Sequence, residues 1–269
     1  SLRILKACHK HEIPVYHDLT EWEWATGWSP REIIRKLDIN LRMRYCMKKM
    51  DGVIAISRYL YDCYSPHIKC ILVPPTVDLS NPKWNREREL TTGKPIELVY
   101  AGTGGFGVKD KLDVIIENVK PFINIHLTVI GMTKERYEEG YGPLPEDCTN
   151  VEFRGRISHL NAVKAVCDAD FQVLIRDNTL KTRAGFPTKF VESISCCTPL
   201  IATLTSNIGD YFKDGCLGFV VDEKHTLRDV FAQLLEMDRG DFIAMKQRCR
   251  DFTGFDYHSY KDEFSKLFS

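Results

Sequence analysis

The chain has 269 residues, room for one large or two modest domains, and its 43% hydrophobic and 28% charged residues exclude wholesale disorder, collagen and coiled coil. Lys plus Arg and Asp plus Glu each number 37, which excludes a globally basic nucleic-acid binder, so no nucleic-acid partner is expected. The balance is uneven, with 16 basic and 11 acidic residues from Ser1 to Lys94 against 21 and 26 beyond it, as two units with different surfaces would give. No run approaches the roughly 18 apolar residues of a membrane span. Ten cysteines without a C-x-x-C pair or zinc-like His spacing predict buried thiols in a reducing, cytoplasmic setting and no metal site. Residues 1–11 read like the middle of a domain, so a longer protein is expected.

Ile13–Tyr16 predicts a strand end. Ser29-Pro30, a plausible N-cap and first helical residue, opens a long helix over Arg31–Met50. Gly52–Ile56 is a continuous apolar run of the kind found in buried parallel strands, followed by a helix over Ser57–Tyr64 and a strand over Ile71–Val73. Pro74-Pro75 stops this βαβ unit, and the polar stretch Asp78–Pro95 reads as an interdomain linker. Beyond it, strands are predicted at Ile96–Ala101, Ile125–Ile130, Val151–Phe153, Phe171–Ile175, Leu200–Ala202 and Phe219–Val221. Helices are predicted at Lys109–Val119, Leu160–Cys167, Thr188–Cys196, Thr226–Met237 and Phe242–Phe252. Apolar residues at helical spacing in Tyr257–Phe268 predict one more helix. The alternation implies two doubly wound α/β units, with ligands at the C-terminal ends of the strands.

Gly102-Thr103-Gly104-Gly105-Phe106-Gly107 follows a predicted strand and matches G-x-G-x-x-G. Its glycines allow close backbone approach to a phosphate. A dinucleotide site also wants an acidic residue at the end of the next strand, and Ile130-Gly131-Met132-Thr133 has none. A phosphate loop of another kind fits better; a ligand-free tight turn would also use these glycines. Lys109 and Lys111, read as one turn into the following helix, are candidate diphosphate ligands.

Ala184-Gly185-Phe186-Pro187-Thr188-Lys189-Phe190-Val191-Glu192 lies between a strand and a helix. Gly185 permits positive φ or a close ligand. Pro187 and Thr188 suit a helix start whose free N–H groups attract phosphate. Glu192, one turn inside, is placed to accept two ribose hydroxyls; the ordinary fate of a glutamate is solvent.

The stretch from Ala184 to Asp222, with Thr198-Pro199-Leu200-Ile201-Ala202, Asp214-Gly215 and Gly218-Phe219-Val220-Val221, resembles the donor-binding domain of glycosyltransferase family 4. Leu98–Asp113, Val129-Ile130-Gly131 and Val151–Arg156 fit the same domain, and Asp51–Ser57 and Val73–Asp78 look like the end of that family's acceptor domain. The resemblance implies a GT-B fold: two Rossmann-like domains facing a cleft, the N-terminal one incomplete. Residues 1–80 would be the partial acceptor side, 95–255 the donor-binding domain, and 256–269 a helix crossing back to the first. It further implies hexosyl transfer with retention from a nucleotide diphosphate sugar to a polysaccharide or lipid-linked acceptor, with no cofactor beyond the donor and no metal. By the same carry-over Gly102, Thr103, Gly104, Gly105 and Lys109 meet the phosphates and Arg156 and Ile157 flank the base. Gly185, Phe186, Pro187, Thr188 and Lys189 meet the donor sugar and phosphate, and Glu192 binds the ribose. Ala184 stands where the family often has a second glutamate, eight before Glu192, with Arg176 or Arg183 as substitutes. Thr103 stands where a phosphate-binding arginine is common. A non-catalytic nucleotide-binding or partner module and a GT-B nucleotide-sugar epimerase are the alternatives.

His17, Asp18, Glu21 and Trp22, read as following a strand, are acceptor-side candidates; Trp22, Trp24 and Trp28 suit sugar faces or lipid, or else a capping loop with core tryptophans. Arg31–Met50 carries seven basic residues against Glu32 and Asp38, with Ile34, Leu37 and Leu41 at helical spacing. That pattern suits either an anionic lipid surface or a core helix with a solvated basic face.

Overall fold

The computed structural model describes residues 2–25, 27–93, 95–103 and 109–268. Its elements begin with α1 (Leu2–Lys10), β1 (Tyr16–Leu19), α2 (Pro30–Leu41), β2 (Gly52–Ala55), α3 (Arg58–Tyr64), β3 (Cys70–Leu72), β4 (Ile96–Ala101), α4 (Leu112–Val119), β5 (Ile125–Ile130) and α5 (Lys134–Tyr141). They continue with β6 (Val151–Gly155), α6 (His159–Asp168), β7 (Phe171–Leu174), α7 (Leu180–Ala184), α8 (Thr188–Ser195), β8 (Leu200–Ala202), β9 (Gly218–Val220), α9 (Leu227–Glu236), α10 (Arg239–Asp251) and α11 (Lys261–Phe268). The chain divides into two compact units: Ser1–Thr76 with Thr179–Phe186 and Tyr257–Ser269, and Val77–Asn178 with Pro187–Asp256.

The first unit is a parallel sheet in the order β1-β2-β3. Alternation along β2 sends Val53 and Ala55 to a core with Leu19, Met43, Leu60, Tyr64 and Ala184, and Ile54 to the other face. There α11 covers the sheet with Leu267 and Phe264, beside Ile71 and Val73. Leu267 is fully buried, which contributes about 1.5–3 kcal/mol.

Ser29 caps α2 by accepting the Glu32 N–H at 3.3 Å, with Pro30 leading the helix. The stretch expected as one helix over Arg31–Met50 is three pieces: α2, a π turn over Arg42–Cys46 and a 3-10 turn over Met47–Lys49. The change of pitch turns Met43, Cys46 and Met47 inward, whereas α2 itself buries only Ile39. The core-helix reading therefore fails for Ile34, Leu37 and Leu41, which are exposed. Trp24 and Trp28 are exposed as well, so they are not core tryptophans. The first strand runs over Tyr16–Leu19 rather than ending at Tyr16, which puts His17 and Asp18 inside it. Helices α1, α5 and α7 fall where the sequence reading placed none.

The second unit is a six-stranded parallel sheet, β6-β5-β4-β7-β8-β9. Ile96, Leu98 and Tyr100 of β4 face a core with α4, α9 and α10, and Val99 faces one with Trp84, Val163, Val166 and Cys196. The supposed linker Asp78–Pro95 belongs to this unit. Trp84 is buried, its indole N–H donates to the Asp78 carbonyl at 2.8 Å, and Arg88 donates to the carbonyls of Cys167 and Cys196 at 2.8 and 2.6 Å. Those carbonyls lie at or near the ends of α6 and α8, where the last turn has no helical partner. The described cysteines are free thiols.

Candidate functional site

Strand order reverses between β4 and β7, and in open parallel sheets the crevice at such a reversal, outside the carboxyl ends of the strands, is where ligands sit. Gly102, the first residue of the expected glycine loop, follows β4 there. Gly102 N–H donates to the Ile130 carbonyl at 2.8 Å and Gly131 N–H to Gly155 at 2.7 Å. Gly131 has φ +97°, and a Cβ on it would lie 2.6 Å from the Gly102 carbonyl oxygen. Only glycine lets these two turns close so tightly. Gly104, Gly105 and Gly107 of the predicted loop lie outside the described residues.

Beneath Gly102 sits a buried charge cluster. Asp110 accepts from Arg176 Nε at 2.6 Å, from the Tyr100 hydroxyl at 2.8 Å and from Lys189 Nζ. Lys189 also donates to the Tyr100 hydroxyl at 3.2 Å and lies 4.4 Å from its ring centroid. Burial opposes ionisation of Asp110, but Lys189 and Arg176 outweigh it and hold the carboxyl below its ordinary range. Burial pushes the Lys189 ammonium down, with Asp110 opposing. One carboxylate thus faces two cations, leaving one positive charge in surplus. Gly102 makes the room: a Cβ there would fall 2.2 Å from Lys189 Nζ. Arg176 is fixed from β8, since its N–H donates to the Thr203 hydroxyl and its carbonyl accepts from it, both at 2.8 Å.

Lys189 stands in the first turn of α8. Pro187 is the N-cap and no side chain among the described residues caps it, so the Thr188 and Lys189 N–H groups carry the positive end of the helix. Glu192, one turn on, is half-buried, and its carboxylate makes no hydrogen bond or ion pair with another described residue. Burial raises its pKa, opposed by His159, Lys189 and Lys83.

The structure brings Gly102, Arg176, Pro187, Thr188, Lys189 and Glu192 into one unit. Lys109 is not inside a helix, because α4 starts at Leu112; Lys109 precedes that helix, next to Asp110, and Lys111 pairs with Asp177 at 2.7 Å. Thr103 and Arg156 are exposed, and Ile157 packs against the core cluster that includes Trp84 and Val99. Gly185 and Phe186 belong to the other unit. Gly185 has φ −86°, so no positive φ requires glycine there. Asp110, Tyr100 and Thr203 complete the cluster, and the sequence pattern does not single them out. The Lys109-Asp110 doublet after a glycine loop is a usable signal for Asp110. Tyr100 reads as an ordinary strand residue until its hydroxyl finds a partner.

In the first unit His17 is half-buried in β1; burial, opposed by Asp18 and helped by Arg42, pushes its imidazole down. Asp18 and Glu21 are exposed. Trp22 packs edge-on to Tyr59 with centroids 6.2 Å apart and lines a cavity of about 340 Å³ with Arg44, Lys48 and Cys63. Among the described residues no group of three or more His, Cys, Asp or Glu is placed to hold a metal ion.

Residues 96–237, more than half of the chain, match the family model described as glycosyl transferases group 1. The chain belongs to this glycosyltransferase family. No curated protein sequence matches it. In structure it is similar to HepE from Anabaena, crystallised with UDP and glucose, at a TM-score of 0.68 and 12% identity over 99% of this chain and 74% of that one. The lipopolysaccharide outer core galactosyltransferase WaaB gives a TM-score of 0.61 at 15% identity, covering 99% and 71%. The pneumococcal O-GlcNAc transferase GtfA, with UDP and GlcNAc, gives 0.63 at 14%, covering 98% and 53%. At these identities the likeness establishes the fold: α/β with parallel sheets, as in GT-B glycosyltransferases.

Proposed function

We propose that the chain transfers a hexose, with retention, from a nucleoside diphosphate sugar to a polysaccharide or lipid-linked saccharide acceptor, the second unit holding the donor. The observation that carries this reading is the surplus positive charge of Lys189 and Arg176 over Asp110, under a glycine turn and beside an uncapped helix N-terminus. A diphosphate neutralises that surplus and accepts from the N–H groups of α8. The same groups meet the charge that develops on the diphosphate as it leaves, because they are fixed in place beforehand. Glu192 lies about one helical turn, ~5.4 Å, further along α8, the reach from a diphosphate to its ribose. Lys109, Thr103, Arg156 and Ile157 remain candidates for the phosphates and base, and Gly185 and Phe186 are assigned to the donor sugar on the resemblance alone. UDP, present with HepE and GtfA, is the first nucleotide to test.

Titration calorimetry with UDP, GDP and ADP and their nucleosides tests this. One diphosphate should bind at least about tenfold tighter than its nucleoside, a difference of about 1.4 kcal/mol. Equal affinity for diphosphate and nucleoside would overturn the placement of the phosphates.

A further inference from the structure

We infer that the outer face of α2 is a docking surface for an anionic lipid bilayer. The inference stands on the first unit alone, so it can fail while the donor reading holds, and the reverse. Ile33, Ile34, Leu37 and Leu41 share one helical face, by their spacing at 3.6 residues per turn. In a surface helix such a stripe ordinarily turns to the core. Here the core contact is made by Ile39, on the opposite side, and the stripe faces out: Ile34 is 68% exposed, Leu37 66% and Leu41 52%. Trp28, just before the helix, is 87% exposed, with the Lys36 ammonium 4.6 Å from its ring centroid.

The charges say what covers this face. Arg31 and Arg35 flank the stripe on one side and Lys36 on the other, and Arg44, Lys48 and Lys49 follow, against Asp38 and Glu32, which lies 3.8 Å from Arg35; Arg42 is paired with Glu23. A second copy packed on this face would bring two such basic segments together, and like charges across an interface are costly. An anionic headgroup layer neutralises them while the four aliphatic side chains and Trp28 enter the acyl boundary, the pattern of a helix lying in the membrane plane. Among the described residues no helix is long and apolar enough to cross a membrane.

The test is flotation of the 269-residue chain with phosphatidylcholine vesicles, with and without about 30% phosphatidylglycerol. The chain should float with the anionic vesicles, stay behind with the neutral ones, and be released as salt screens the charges. Ile34→Gln with Leu37→Gln should lower partitioning at least about tenfold; the positions are exposed, so the circular dichroism melt should match the wild type. Arg31→Gln with Arg35→Gln should weaken binding to anionic vesicles with the same melt. Failure of the wild type to float with anionic vesicles would overturn the inference, as would equal flotation with neutral ones or insensitivity to the Ile34 and Leu37 changes. A dimer that those two changes dissolve, without flotation, would overturn it in favour of a second copy.

Discussion

Two buried ion pairs of the second unit look alike and differ in balance. Under α10, Lys246 donates to Asp170 at 3.0 Å, to the Thr91 carbonyl at 2.8 Å and to the Ala169 carbonyl at 3.2 Å. The other Asp170 oxygen accepts the Glu97 N–H at 2.9 Å. One cation meets one anion, and every ammonium proton has an acceptor. The cluster under Gly102 has one anion for two cations. A closed pair ties an α-helix to the strand ends and asks nothing of a ligand. An open one costs electrostatic energy in the empty protein and recovers it when an anion arrives. On the donor reading proposed above, the stability lost at the second is the affinity available to a phosphate.

The sharpest break of this contrast is expected from Lys246→Met. It leaves Asp170 buried without a counter-charge, so urea denaturation should show a loss of about 3–5 kcal/mol, with no recovery in any nucleotide or diphosphate. Asp110→Asn should also destabilise, because Arg176 and Lys189 then face each other without the carboxylate between them. Here millimolar pyrophosphate should restore part of the loss, since an anion takes the place of the carboxylate. If pyrophosphate raises the melting temperature of both variants equally, the two sites do not differ as argued. A smaller effect is expected from Lys189→Met, which leaves Asp110 with Arg176 and Tyr100. Nucleoside diphosphate binding should weaken by about 1.5–3 kcal/mol while nucleoside binding holds. Equal losses by calorimetry would remove Lys189 from the phosphates.

The smallest effect concerns Glu192. Burial raises its pKa in the folded chain above the ordinary 4.5, so just above that value the folded state holds more protons than the unfolded one. Stability then falls as pH rises from about 4.5 through the folded value. Glu192→Gln removes that loss. Without ligand it should melt higher than wild type near pH 7, with the gap closing toward about pH 4, while nucleotide affinity falls. A pH-independent gap would mean that burial does not strain this carboxylate.

Much of the second unit is legible residue by residue. Ile96–Ala101, Ile125–Ile130 and Leu200–Ala202 are apolar runs between turn residues, and parallel strands buried on both faces leave no other pattern. Ser29 and Pro30 mark the start of α2 because capping chemistry is local. The glycine turn and the Pro187-Thr188 helix start are legible for the same reason. Where competing forces act, the reading fails. Asp78–Pro95 has a linker's composition, yet Arg86 and Arg88 cap carbonyls that only the folded unit assembles. Arg31–Met50 has continuous helical spacing, yet the pitch changes at Arg42 to bury Met43 and Met47.

The sequence by itself therefore determined the alternation of strands and helices, the sheet type, the glycine turn at Gly102 and the candidacy of Lys189 and Glu192. These follow from periodicity, capping and backbone freedom within a few residues. Tertiary structure decided which charges meet. Asp110, Arg176 and Lys189 are 66 and 79 positions apart from the first, and only the crossing from β4 to β7 puts them together. It also decided that the apolar stripe of α2 faces outward, because the spacing of a helix defines a face and the packing around it chooses the direction.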